Sequence, residues 1–68
     1  MATYKKHGEL LEFSLIVKFE TPAAFLLSDG TDENWFPKSQ IDWEETAEVG
    51  GTFTFYIPEW LAEEKGLI

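Results

Sequence analysis

The segment 11–19 constrains the fold more than any other part of the sequence, because apolar residues occupy every second position. Leu11, Phe13, Leu15, Val17 and Phe19 alternate with Glu12, Ser14, Ile16, Lys18 and Glu20. Five apolar residues at a period of two predict a half-buried β-strand, with Ile16 the one apolar residue on the outer side. Thr21-Pro22 ends this strand, since proline cannot donate a hydrogen bond to a β-ladder.

Four further short segments are predicted to be strands, separated by glycine and proline turns. They cover residues 23–27, 33–36, 41–45 and 52–57. Asp29-Gly30 lies between the first two of them and is a strong hairpin signal, because glycine accepts a positive φ. Residues 37–40 predict a tight turn of the 3₁₀ type. Gly50-Gly51 marks the turn before the last strand.

The C-terminal residues change from a strand pattern to a helix pattern. Pro58 is favoured at the first position of a helix, and Glu59 suits the positive end of the helix dipole. Residues 60–65 are acceptable or good helix formers, and Gly66 is well placed as the C′ residue, with Leu67 packing back on Trp60 or Leu61. The pattern predicts about two turns of helix, which must dock on the sheet because so short a helix does not persist alone.

Strands at short, regular spacing predict a mainly β fold. We expect a small five-stranded SH3-like barrel with a short C-terminal helix; an OB-like barrel and a curved antiparallel sheet are the alternatives. The length of 68 residues leaves room for one domain, residues 9–68, preceded by a flexible tail at residues 1–8. No cysteine and a single histidine exclude disulfides and the common zinc sites, so we expect no cofactor.

The charge of the chain is strongly acidic, with 5 basic and 13 acidic residues and a net charge of −8. Nucleic-acid backbones and anionic lipids are disfavoured as partners, because both are bound by clustered Lys or Arg. No apolar run is long enough to span a membrane, and the N-terminus lacks the pattern of a signal peptide. These features predict a cytoplasmic protein with no membrane partner.

Residues that could carry catalysis are sparse. The one histidine, His7, lies in the predicted tail, whereas a catalytic base must be held in place. Glu44 and Glu45 are neighbours, and neighbours on a strand point to opposite faces, so they do not form a carboxylate pair. Residues 29–34 are rich in oxygen ligands but lack the spacing of an EF-hand loop, which favours a polar hairpin turn over a calcium site. We therefore expect no enzyme activity.

Aromatic residues are concentrated in the second half of the chain, with seven between positions 35 and 60. Trp35 and Phe36 cannot both point inward on one regular strand, and the same holds for Phe55 and Tyr56. Some aromatic surface is therefore expected to be exposed, and exposed aromatic patches often mark protein interfaces. The predicted interaction surface consists of Trp35, Trp43, Glu44, Glu45 and Tyr56.

Two segments of the second half of the chain carry a resemblance. They are Trp35-Phe36-Pro37-Lys38-Ser39-Gln40-Ile41 and Ile57-Pro58-Glu59-Trp60-Leu61-Ala62-Glu63-Glu64-Lys65-Gly66-Leu67. Together they resemble a pattern found in short proteins of phage and prophage genomes, a group that implies no particular function.

These observations predict a non-catalytic, acidic protein-interaction domain. Its partner is expected to be another protein with a basic surface, and a phage-encoded accessory or inhibitor protein that mimics nucleic acid is one form of this hypothesis. The alternative is a small barrel that binds single-stranded nucleic acid by stacking bases on exposed aromatics. Homo-oligomerisation through open strand edges is also left open by the sequence.

Overall fold

The computed structural model describes the backbone of residues 5–7 and the whole of residues 10–43 and 46–68. Its elements are β1 (Lys5–His7), β2 (Leu10–Glu20), β3 (Ala24–Ser28), β4 (Glu33–Pro37), a 3₁₀ turn (Lys38–Gln40), β5 (Asp42–Trp43), β6 (Thr52–Pro58) and α1 (Glu59–Glu64). The predicted order of strands, 3₁₀ turn and C-terminal helix is confirmed. Glu44 and Glu45 lie outside the described residues.

All strand pairings are antiparallel and belong to one sheet with the order β4-β3-β2-β6-β5, while β1 pairs with β2 beside this path. The mainly β fold is therefore confirmed as an open antiparallel sheet with a short helix after its last strand. Among the described residues β4 and β5 form the two ends of the sheet and do not pair with each other.

The segment 1–8, predicted to be a flexible tail, contains β1. Its backbone pairs with the start of β2, where Lys5 lies opposite Glu12 and His7 opposite Leu10. Residues 1–4 and 8–9 lie outside the described residues, and the flexibility of this segment stays a prediction.

The core lies on the face of the sheet that the alternation in β2 predicts. Leu11, Phe13, Leu15 and Val17 are all buried. The register with β6 places Leu11 opposite Ile57 and Phe13 opposite Phe55, so these side chains lie on the same face. Among the described residues, the core cluster also contains Phe25, Leu27, Phe36, Ile41, Ala47, Leu61, Ala62 and Leu67. Packing of these large side chains therefore contributes strongly to the stability of the described part of the chain.

The fifth member of the alternation, Phe19, departs from this pattern. Val17 lies opposite Leu27, but Phe19 lies opposite Leu26, so the pairing skips Lys18 in a β-bulge. A bulge inserts one extra residue into a strand and reverses the faces of the residues that follow. Phe19 therefore points away from the core and is 54% exposed, which makes the prediction that it belongs to the buried face wrong.

The C-terminal helix ends as the sequence predicts. Gly66 has a φ of +79°, and its N–H donates to the Glu63 carbonyl at 3.1 Å. The N–H of the buried Leu67 donates to the Ala62 carbonyl at 2.8 Å, which completes a Schellman motif. The Asn34 side-chain amide donates to the Lys65 carbonyl at 3.0 Å and ties the end of α1 to β4.

Candidate functional site

Three apolar side chains form a row across the outer face of the sheet. Phe19 on β2 lies opposite Leu26 on β3, and Leu26 lies opposite Trp35 on β4. Phe19 and Trp35 are 54% and 44% exposed, and Leu26 is half-buried. The two rings meet edge to face, with centroids 6.1 Å apart and an interplanar angle of 84°. We call Phe19, Leu26 and Trp35 the outer aromatic patch.

The strands themselves place this patch on the surface. In β4, Phe36 is 1% exposed and packs in the core, so its neighbour Trp35 must face outward. In β2, the bulge at Lys18 turns Phe19 to the same outer side. All three side chains stand on paired strands, and β-bulges often re-aim a side chain near a functional site.

One ion pair lies beside the patch, and a second lies on the opposite, inner side of the sheet. The Lys18 Nζ lies 3.9 Å from the Glu33 Oε2, and the Lys38 Nζ donates to the Glu20 Oε2 at 2.6 Å. The Lys38 ammonium also lies 4.7 Å from the centroid of the Phe25 ring. Lys18 beside the patch and Lys38 on the inner side are thus each matched by a glutamate, so these lysines do not form an uncompensated basic stripe around the exposed rings.

The oxygen-rich segment before β4 is a hairpin turn. The Asp29 Oδ1 accepts hydrogen bonds from the backbone N–H groups of Thr31, at 2.8 Å, and Asp32, at 2.9 Å. The hydrogen bond from Asp32, followed by that from Thr31, lowers the pKa of the Asp29 carboxyl below its ordinary value of 3.8. Gly30, with a φ of +99°, supplies the left-handed residue of the turn. The carboxylate oxygen therefore organises the turn itself.

The predicted surface residues fall in different environments. Trp35 is exposed as expected. Trp43 is half-buried, and its ring packs on Phe25 and Phe55 with centroid distances of 4.9 and 6.4 Å. Its main contacts are therefore with the core, because the β5 register places it opposite Phe55 on the inner side of the sheet.

The prediction that Tyr56 lies on the exposed surface is wrong, because only 6% of its surface is accessible to solvent. It lies in β6, between Glu12 of β2 and Asp42 of β5, so strands flank it on both sides. The structure thus brings together Trp35 with Phe19 and Leu26, and does not bring Trp35 together with Trp43 or Tyr56. Glu44 and Glu45 lie outside the described residues.

The residues that the sequence did not point to are Phe19 and Leu26. Both belong to apolar runs that the pattern assigns to strands, and a bulge has no sequence signature that would separate Phe19 from its buried predecessors. The nearest signal is the pair Thr21-Pro22, which marks the end of the strand two residues later.

In the described part of the chain, no cavity is found, and no three His, Cys, Asp or Glu side chains are grouped closely enough to hold a metal ion. None of the described helices is long and apolar enough to cross a membrane. Comparisons with protein-family models, curated proteins and solved structures give no match to this chain.

Proposed function

We propose that the protein is a non-catalytic interaction domain that binds another protein through the outer aromatic patch. The observation that carries this proposal is the pair Phe19 and Trp35, two large rings that stand half-exposed side by side on the sheet. Aromatic residues are enriched at the energetic centres of protein interfaces.

The gain from covering the patch is large enough to anchor an interface. A Phe or Trp side chain offers about 150–250 Å², so the exposed halves of the two rings amount to roughly 200 Å². At about 25 cal/mol per Å², removing that area from water contributes about 5 kcal/mol before the entropic cost of association. A rim of further contacts would have to supply the rest of the binding free energy.

The charge of the chain selects the kind of partner. A net charge of −8 attracts proteins with a basic surface and speeds their association. An accessory or inhibitor protein, acting in the cytoplasm on a nucleic-acid-handling protein, fits this charge and the phage-type resemblance. The same proposal includes an SH3-like fold. Small β-rich domains of this kind commonly serve as interaction modules.

Single-stranded nucleic acid is the competing ligand, because exposed rings can also stack on bases. The ion pairs of Lys18 and Lys38 disfavour the binding of single-stranded nucleic acid. Phosphate binding needs free cationic groups, whereas Lys18 and Lys38 already pair with Glu33 and Glu20. Protein is therefore the favoured partner, and nucleic acid is an outcome that the experiment must distinguish.

The test is an affinity capture from a lysate of the source cells with three forms of the tagged protein: wild type, the double variant Phe19→Ser/Trp35→Ser, and the control Trp60→Ser. Trp60 is 55% exposed on α1 and lies outside the patch. We expect a basic protein to be retained by the wild type and the control, lost from the double variant, and released as salt is raised from about 0.05 M to about 0.5 M.

Direct binding of the purified captured protein, measured by calorimetry with the same three forms, completes the test. Equal binding to all three forms would contradict the assignment of the patch. Recovery of nucleic acid in place of protein, or binding of a labelled single-stranded DNA oligonucleotide that the double variant loses, would replace the proposal by the nucleic-acid alternative.

A further inference from the structure

The outer edge of β4 is a surface separate from the outer aromatic patch. β4 ends the sheet and pairs with β3 alone among the described strands. In an antiparallel pair, opposite residues alternate between hydrogen-bonded and non-hydrogen-bonded positions. The Lys38 N–H donates to the Ala23 carbonyl, and the Asp29 N–H donates to the Asp32 carbonyl, which fixes this alternation at both ends of the β3–β4 hairpin.

On that alternation, Phe36 and Asn34 direct their backbone groups toward β3, whereas Glu33, Trp35 and Pro37 direct theirs away from it. The outer edge therefore presents the N–H and C=O groups of Glu33 and Trp35. Pro37 presents a carbonyl but has no N–H. Such an edge is a template for another strand, and natural sheets usually cover or blunt it.

We propose that β4 pairs antiparallel with β4 of a second copy of this chain, about a two-fold axis at Trp35. Trp35 is the middle residue of β4, so this register overlaps all five residues of the strand. Each Trp35 N–H donates to the Trp35 carbonyl of the other copy. Each Glu33 N–H donates to the Pro37 carbonyl of the other copy. This hydrogen bond needs no N–H from Pro37, so the proline does not prevent it.

The distribution of charge along β4 supports this register. The hairpin end of β4 carries Asp32 and Glu33, and the other end is followed by Lys38. Two-fold pairing about Trp35 places Glu33 opposite Pro37 of the second copy, so the acidic ends of the two strands lie at opposite ends of the pair. Parallel pairing in register would instead align the two Glu33 carboxylates.

This pairing has a consequence for the patch. A two-fold axis perpendicular to the sheet keeps both outer faces on the same side, so the two Trp35 rings become neighbours and the two outer aromatic patches join into one. The pairing goes beyond the proposed function and does not depend on it, because the edge and the outer face are different surfaces. A small domain also gains stability by associating with a second copy.

Sedimentation equilibrium of the untagged full chain, from about 10 µM to about 0.5 mM, tests the pairing. We expect the mass to rise from 7.8 kDa toward twice that value. Trp35→Lys and Trp35→Glu should each raise the dimer dissociation constant at least about tenfold, since each places like charges opposite one another. An equimolar mixture of the two variants should restore association, and Trp60→Lys should dimerise as the wild type does.

A wild-type protein that stays monomeric over this range would overturn the pairing. So would equal weakening by Trp60→Lys, or a mixture of the two charged variants that fails to associate better than either alone. Salt separates the two proposals. Association of two copies with a charge of −8 should strengthen from about 0.05 M to about 0.5 M salt, whereas binding of a basic partner should weaken. A protein that stays monomeric but still captures a basic partner would refute the β4 pairing and leave the proposed function intact.

Discussion

Truncation of Phe36 should lower the free energy of unfolding more than truncation of its neighbour Trp35. Phe36 is 1% exposed, so Phe36→Ala should lower the free energy of unfolding by about 3–5 kcal/mol. Trp35 is 44% exposed, and its contact with the Phe19 ring contributes about 0.5–1.5 kcal/mol. The buried part of the Trp35 side chain, roughly 100 Å², contributes about 2.5 kcal/mol as an upper estimate at about 25 cal/mol per Å². Trp35→Ala should therefore lower the free energy of unfolding by about 2–3 kcal/mol, less than Phe36→Ala, although Trp is the larger side chain.

Urea unfolding followed by far-ultraviolet circular dichroism measures both free energies without relying on tryptophan fluorescence. The protein concentration should be about 1 µM, so that self-association does not add to the stability. A domain of this size has a total stability of only about 3–10 kcal/mol, so Phe36→Ala can leave the chain unfolded without denaturant. Trp35→Leu and Phe36→Leu are the milder matched pair, with the same expected order.

An equal loss of stability from both substitutions, or a larger loss from Trp35→Ala, would contradict the assignment of Phe36 to the core and of Trp35 to the outer face. It would mean that β4 turns the opposite face to the core, or that the outer aromatic patch is buried by another part of the chain. In either case Trp35 would not be exposed for an interaction with a partner.

Three further predictions concern single residues. Gly66→Val should lower the free energy of unfolding by at least about 1–2 kcal/mol, because a β-branched residue resists the φ of +79° required by the Schellman motif; an unchanged thermal midpoint would contradict that cap. Trp60→Ala should cost less than about 1 kcal/mol in urea, since Trp60 is 55% exposed, and a loss of about 3–5 kcal/mol would show that it is core. Asp29→Asn should be less stable than the wild type above about pH 4, because the folded state lowers the pKa of the Asp29 carboxyl, and the difference should shrink as pH falls through that lowered pKa; a difference that is constant with pH would contradict this role.

Much of the fold follows from short-range patterns. The alternation of apolar residues in β2 predicts the buried face up to Val17, and the Asp29-Gly30 signal predicts the β3–β4 hairpin. Gly66 predicts the end of α1 because a positive φ has a strong residue preference. Each of these features depends on residues that are close in the sequence.

The features that were not predicted depend on distant parts of the chain. The bulge at Lys18 is defined by the pairing of β2 with β3, and it moved Phe19 from the expected core to the outer face. Tyr56 is buried although its neighbours Phe55 and Ile57 point into the core, and its position in β6, paired with both β2 and β5, is set by long-range strand pairing that no local pattern contains. The predicted interaction surface therefore includes Trp35 but not Phe19, whose ring contacts it.

The most direct test of the patch is a nuclear magnetic resonance titration of the ¹⁵N-labelled protein with the purified captured partner, at about 0.15 M salt. We expect the largest amide shifts on and beside Phe19, Leu26 and Trp35, together with the Trp35 indole N–H, while the Trp60 indole signal stays unchanged. Shifts concentrated on α1 around Trp60, with Phe19 and Trp35 unaffected, would contradict it.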